Sequence, residues 1–181
     1  MHRDMPHIHD QPGQHDHTVT AYLVRLDEDQ PRCLVIMHRK LHILLPPGGH
    51  IELHETPWQA IAHELEEESG YQFGDLQLLQ PPARIQTTSD AVVHPQAIMQ
   101  NTHPINKHHY HSDTAYGFIA QGDPSGSIAD GESTDVRWLT LEEMKILDAS
   151  SIFQLTVEAY DFIINTLLDA WDRVNPNEFQ F

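Results

Sequence analysis

The chain has 181 residues and 39% apolar content, enough for one domain with a sizeable core, and no apolar run approaches the length of a membrane-spanning helix. Ten basic against 27 acidic side chains give a formal charge of −17 with histidines neutral, which disfavours non-specific binding to duplex nucleic acid or anionic membranes. An anionic substrate therefore needs a metal ion to enter. The single cysteine, Cys33, excludes an intramolecular disulfide, and its apolar run Cys33-Leu34-Val35-Ile36-Met37 marks it as an inert buried thiol.

Residues 1–17 are rich in His, Asp, Gln and Pro and lack the apolar stretch of a secretory signal. They predict a flexible His-rich tail ahead of one domain over residues 18–181, with the cytoplasm as the default address. His7-Ile8-His9 and His15-Asp16-His17 in this tail are chelating pairs of the kind that bind metal adventitiously. Thr18 to Leu26 and Arg32 to Met37 then read as two strands around an Asp27-Glu28-Asp29-Gln30-Pro31 turn, the second apolar enough to be central in a sheet. Pro46-Pro47-Gly48-Gly49 follows, a segment in which the backbone turns tightly and approaches a ligand.

Thr56 is a good N-cap, Pro57 suits the first helical position and Gly70 suits a left-handed stop, so the segment between them predicts a helix of about three to four turns. Trp58, Ile61, Ala62 and Leu65 form its apolar stripe, and Glu64, Glu67 and Glu68 fall together beside that stripe. Like charges at this spacing repel, and near a helix C-terminus they also oppose the macrodipole. A hard divalent cation relieves both effects, and an oxygen-only donor set suits Mg²⁺ or Mn²⁺. Beyond the helix, Ala83 to Thr88, Tyr110 to Ala120 and Val136 to Leu139 are strand candidates, Leu141 to Leu147 a short helix and Ile152 to Val174 a longer one.

The spacing Gly49, five residues, Glu55, seven residues, then His63-Glu64-Leu65-Glu66-Glu67-Glu68-Ser69-Gly70-Tyr71 resembles the Nudix box at every fixed position except one, where His63 replaces the usual arginine. Thr134 to Leu139 followed by Leu141-Glu142-Glu143 also resembles the strand and helix that close such domains. The resemblance implies an α/β fold of the Nudix α/β/α sandwich type, with a mixed sheet between helices. It further implies that Glu64, Glu67 and Glu68 coordinate Mg²⁺ or Mn²⁺ and carry the chemistry, that the Gly48 carbonyl is a further ligand, and that Gly49, Glu55, His63 and Gly70 support the box.

In that family the arginine ties box glutamates together, the counterparts of Glu55 and Glu67 among them. An imidazole cannot supply the bidentate fork, which points to a weaker or pH-dependent site. The general base comes either from the box or from a later loop, and the residues leave that choice open. Arg39 and Lys40, in His38-Arg39-Lys40, are candidates for substrate phosphate, as are Arg84 and Lys107 from later loops. Tyr110, Tyr116 and Trp138 could stack on a base, but aromatics at strand positions more often belong to the core.

The implied function is metal-dependent pyrophosphohydrolysis of a small-molecule nucleoside diphosphate derivative or nucleoside triphosphate, by water attack on phosphorus. The alternative is a catalytically degenerate Nudix-fold nucleotide-binding or sensor module. Isomerisation of a prenyl diphosphate is a weaker third reading, because Cys33 precedes the box. One constellation stands apart: in His108-His109-Tyr110-His111-Ser112-Asp113, strand alternation points His109, His111 and Asp113 to one side, a donor set for Zn²⁺ or Fe²⁺.

Overall fold

The computed structural model describes Ile8 and residues 11–179. At its centre two long strands, β1 (Gln14–Arg25) and β7 (His109–Ala120), run parallel and match residue for residue along their full length. Their C-terminal halves are apolar on both faces, as a parallel pair covered by helices on both sides requires. Tyr22 and Val24 enter one core, whereas Ala21 and Leu23 enter the other.

The sheet divides about this pair. Toward the C-terminal ends of the central strands, β2 (Arg32–Met37) flanks β1 and β5 (Leu76–Gln80) flanks β7, both antiparallel. Toward their N-terminal ends the same edges are taken by β4 (Gly48–His50), antiparallel to β1, and β6 (Met99–Pro104), antiparallel to β7. The short β3 (Leu44–Leu45) and β8 (Val136–Thr140) pair with β2, and β9 (Asp172–Val174) pairs with β5. The edge of β1 is thus shared by two strands that are separated in sequence by the Pro-Gly loop.

Helix α1 (Pro57–Ser69) covers one face of the sheet through Trp58, Ile61 and Leu65. Helices α2 (Leu141–Lys145) and α3 (Gln154–Phe162) cover the other face through Met144, Val157 and Tyr160. The architecture is the expected α/β/α sandwich. Among the described residues, no helix is long and apolar enough to cross a membrane.

The ends of α1 match their sequence signals. The Thr56 side chain accepts from the Gln59 N–H, Gln59 reaches back to the Thr56 N–H, and Gly70 adopts φ 75°. Ala60, outside the expected stripe, is fully buried, whereas Ala62 is only half-buried. The Thr140 capping box starts α2 in the same way.

Three expectations change. Strand β1 begins at Gln14, so Gln14 to His17 belong to the central strand rather than to a tail; their polar side chains hid a segment held by backbone pairing to β7. The earlier part of the expected tail, including His7 and His9, lies outside the described residues. Ala83 to Thr88 form no strand: Pro81-Pro82 precede them, their side chains are largely exposed, and no neighbouring strand takes their backbone. The helix expected to reach Val174 passes through a π-helical stretch, Ile163–Leu167, ends at Ala170 and continues into β9, because the free edge of β5 accepts Asp172–Val174 as a strand. Strand β6 carries no strand signal in its sequence, being polar and mostly exposed at a sheet edge.

The α1 face rests on Trp58, fully buried among Phe73, Tyr116, Phe118 and Phe179 with ring centroids 4.5–6.2 Å away. Trp58→Ala is expected to cost about 3–5 kcal/mol in denaturant unfolding. A cost below about 1 kcal/mol would show that the helix does not depend on this aromatic cluster.

Candidate active site

The division of the β1 edge creates the site. Pro47 crosses from β3 to β4 and its carbonyl accepts the Ala21 N–H at 2.8 Å, which lays Gly48 and Gly49 alongside Thr20 and Val19. Both glycines are required by close approach. A Cβ on Gly48 would overlap the Val19 carbonyl oxygen, and one on Gly49 would overlap Glu64 Oε1. Glu68 Oε2 accepts the Gly48 N–H at 2.9 Å. The last two turns of α1 therefore press Glu64 and Glu68 onto the glycine strand, half-buried.

Glu67 takes another direction. It is exposed and lies with Oε1 3.1 Å from His63 Nε2, while His63 Nδ1 stands 3.8 Å from Glu55 Oε2. The imidazole thus bridges the two glutamates that the resemblance assigns to an arginine. Glu55 Oε1 also accepts the Glu52 N–H at 2.9 Å, so this carboxylate closes the turn leading into α1.

The segment after β7 brings a carboxylate that sequence reasoning did not single out. The Gly126 N–H donates to the Gly70 carbonyl at 3.0 Å and the Ala129 N–H to the Glu67 carbonyl at 2.8 Å. These bonds fasten the segment to the end of α1, and the Arg39 guanidinium donates to the Gly131 carbonyl. Glu132, the next residue, lines the cleft that these elements enclose. The only sequence signal was one acidic residue among several in a Gly-Ser-Asp-rich loop, and the docking to α1 is what gives it meaning.

The resulting cleft, about 600 Å³, is lined by Gly48, Gly49, Glu64, Glu68 and Glu132 together with His38, Arg39 and Lys40. A separate hollow of about 500 Å³ between α2 and α3 lies on the opposite face of the sheet and shares none of these residues. Burial, then repulsion from Glu68, Glu67, Glu132 and Glu55, pushes the Glu64 carboxyl up to about 8. Burial likewise raises Glu68 to about 7, helped by Glu132 and Glu67 and opposed by the Gly48 N–H. Burial and the nearby Lys40 push His38 below the usual histidine range; its Nδ1 accepts the Leu41 N–H at 3.1 Å. The raised values reflect the cost of burying adjacent carboxylates, a cost that a cation would offset, and their donor atoms are all oxygen. This set fits Mg²⁺ or Mn²⁺.

Other sequence candidates lie elsewhere. The Arg84 guanidinium stands 5.9 Å over the Phe179 ring, and Lys107 is exposed in the β6–β7 turn; neither lines the cleft. Tyr116 is core, Trp138 lies 4.9 Å beneath the Arg25 guanidinium, and Tyr110 stacks on His15 at 5.2 Å. Asp113 does not join His109 and His111 as a ligand trio. Its oxygens accept from Thr18 and Thr20 at 2.9 Å each and from Asn101 at 3.3 Å, and Asp16 of β1 takes its place beside the histidines.

Fold and site together define a pyrophosphatase-type hydrolase in which a glycine strand, a carboxylate helix and basic residues line one cleft. The NUDIX domain matches residues 16–157, and the chain belongs to that family. No curated protein matches the chain. Among solved structures it is similar to a NUDIX-family hydrolase from Clostridium perfringens, with 26% identity and TM-score 0.65 over 83% of this chain and 99% of that one. The Ap4A hydrolase of C. elegans shares the fold at 15% identity and TM-score 0.58, over 83% of this chain and 99% of its own. So does the NUDIX domain of Shewanella oneidensis NrtR, solved with ADP ribose, at 17% identity and TM-score 0.58 over 83% and 89%.

In the unfolded chain Glu64 and Glu68 titrate near the ordinary 4.5, so between that value and about 8 the metal-free folded state binds more protons and stability falls as pH rises. Melting temperature without divalent ions is expected to drop from about pH 5 to about pH 8, and Glu64→Gln to flatten the drop while removing cation affinity. An unchanged slope in that variant would reject the assignment. The glycines separate two effects: Gly48→Ala meets backbone and is expected to lower the melting temperature, whereas Gly49→Ala displaces only the Glu64 side chain, keeping the fold and weakening Mg²⁺ binding. Thermal unfolding with magnesium titration distinguishes them, and equal losses in both variants would contradict this reading.

Proposed function

We propose that the chain hydrolyses the diphosphate bond of a nucleoside diphosphate derivative, nucleoside triphosphates included, with Mg²⁺ or Mn²⁺ as cofactor. The observation that carries this reading is the convergence of Glu64 and Glu68 on the Gly48–Gly49 strand, in one cleft with Arg39 and Lys40. Glu64 and Glu68 are the principal cation ligands, the Gly48 carbonyl is a further one, and Glu67 borders the set under the control of His63. When bound, the cation supplies charge neutralisation of the diphosphate and polarisation of its phosphoryl oxygens. Arg39 and Lys40 hold a non-reacting phosphate, opposing the strong negative charge of the chain as a whole.

A water molecule attacks phosphorus, the bridging P–O bond breaks, and the displaced phosphate leaves with the bond's electrons. Glu132, which lines the cleft and lies in the electrostatic field of Glu64 and Glu68, is the residue we assign to accept the water's proton. The structural likeness to the Ap4A hydrolase and to the ADP-ribose-bound domain supports a nucleotide substrate class.

The test is a panel of nucleoside triphosphates, dinucleoside polyphosphates and nucleoside diphosphate sugars with Mg²⁺ and with Mn²⁺, following release of phosphate or monophosphate. Glu68→Gln is expected to lower kcat by at least about 10²-fold and Glu132→Gln by about 10²–10⁴-fold, both with the fold intact. Unaltered turnover in Glu68→Gln would reject the site. Tight nucleotide binding without turnover across the panel would favour a nucleotide-binding sensor.

A further inference from the structure

Outside the cleft, the parallel register of β1 and β7 sets Asp16 opposite His111 and Gln14 opposite His109. With side chains alternating along each strand, Asp16, His109 and His111 fall on one face. One ligand atom from each lies within 4.8 Å of the other two, and among the described residues this is the one group of three potential metal ligands so closely drawn together. Asp16 is fully buried and His109 is 5% exposed. His109 Nε2 stands 3.2 Å from Asp16 Oδ2, and His50 Nε2, from β4, stands 3.4 Å from the same oxygen. The His50 and His111 rings meet edge to face, with centroids 4.8 Å apart.

We propose that Asp16, His109 and His111 form a second metal site, for Zn²⁺ or a similar imidazole-preferring divalent ion, separate from the oxygen-only box. Around a tetrahedral zinc with bonds of about 2.0–2.1 Å, neighbouring ligand atoms are about 3.3 Å apart, so the Asp16–His109 separation already has that span and small side-chain rotations close the rest. Two imidazoles and a carboxylate suit Zn²⁺, whereas Mg²⁺ prefers oxygen ligands and its own waters. The three residues come from the two central strands, which pair along their full length. His50 adds a third imidazole beside Asp16.

The position gives the site a consequence for the cleft. Asp16 lies two residues before Thr18, which pairs with His50, and His50 directly follows the glycines that receive Glu64 and Glu68. A metal that locks the N-terminal half of β1 to β7 also steadies the strand on which the glycine loop rests. Metal-dependent stability is therefore expected even where the box is saturated.

The full-length protein, stripped with chelator and returned to excess Mg²⁺ to fill the box, is titrated with Zn²⁺ and in parallel with Co²⁺. One equivalent of Zn²⁺ should be retained on equilibrium dialysis, the Co²⁺ form should show the intense visible absorption of a four-coordinate ion, and Zn²⁺ should raise the melting temperature. His111→Ala, at a half-buried position, and His109→Ala should each weaken Zn²⁺ binding at least about tenfold. Replacing His2, His7 and His9 with alanine should leave the equivalent in place. The proposal is overturned by absence of the tight equivalent in the parent, by its persistence in the His109/His111 double variant, or by its loss with the three N-terminal histidines.

Discussion

The parallel pairing of β1 with β7 is the constraint on which the rest of the molecule depends. Two strands matched over twelve residues have both faces to bury and two edges to satisfy, and each edge is longer than any single remaining strand. The edges are therefore divided, β2 with β4 on one side and β5 with β6 on the other. The crossing between β2 and β4 requires a loop that leaves the sheet and returns to it, and the cleft opens where it returns. Pro46, Pro47 and the two glycines are the residues that make this return possible, since a side chain on Gly48 would strike the Val19 backbone.

Onto that loop the fold presses carboxylates against their electrostatic preference. Glu64 and Glu68 are half-buried beside each other and near Glu132, and burial first, then the mutual repulsion of these carboxylates, raises their proton affinity. The core opposite fixes the arrangement. Trp58, Ile61 and Leu65 are fully buried against the sheet, so α1 cannot rotate its acidic face away without exposing its apolar one. The instability is local, and it is the physical basis of the cation binding proposed for this cleft.

His63 shows how a substitution in a motif can be absorbed. The imidazole lies between Glu55 and Glu67, with one nitrogen toward each, and so preserves the link between the turn before α1 and its last turns. Being half-exposed, it joins two acidic groups through single contacts where a guanidinium would offer paired donors. The bridge is retained in a lighter form, and the carboxylates that face the cleft are held instead by the glycine strand.

Much of the site is legible in the amino-acid sequence, because its determinants are local. Capping residues, a helical repeat and two glycines at fixed spacing mark α1, its stripe, its carboxylates and the loop before it within one short stretch of chain, although the contact that requires Gly48, with Val19, comes from a distant strand. Fold class follows from the same stretch through its family resemblance. The features that are not legible there are set by pairing between distant segments. Strand β6 and the first residues of β1 are polar, β9 carries a helical apolar spacing, and each is a strand only because a free edge lies beside it. The same reason governs Glu132, placed by hydrogen bonds to the end of α1, and Asp16, which replaces Asp113 beside His109 and His111. Alternation along β7 correctly puts Asp113 on the histidine face, but it cannot reveal that Thr18 and Thr20 occupy its oxygens. Sequence by itself determined the elements whose interactions are short-range; tertiary structure alone decided which residues from separate strands share a face, because strand register is a property of the pair and not of either strand.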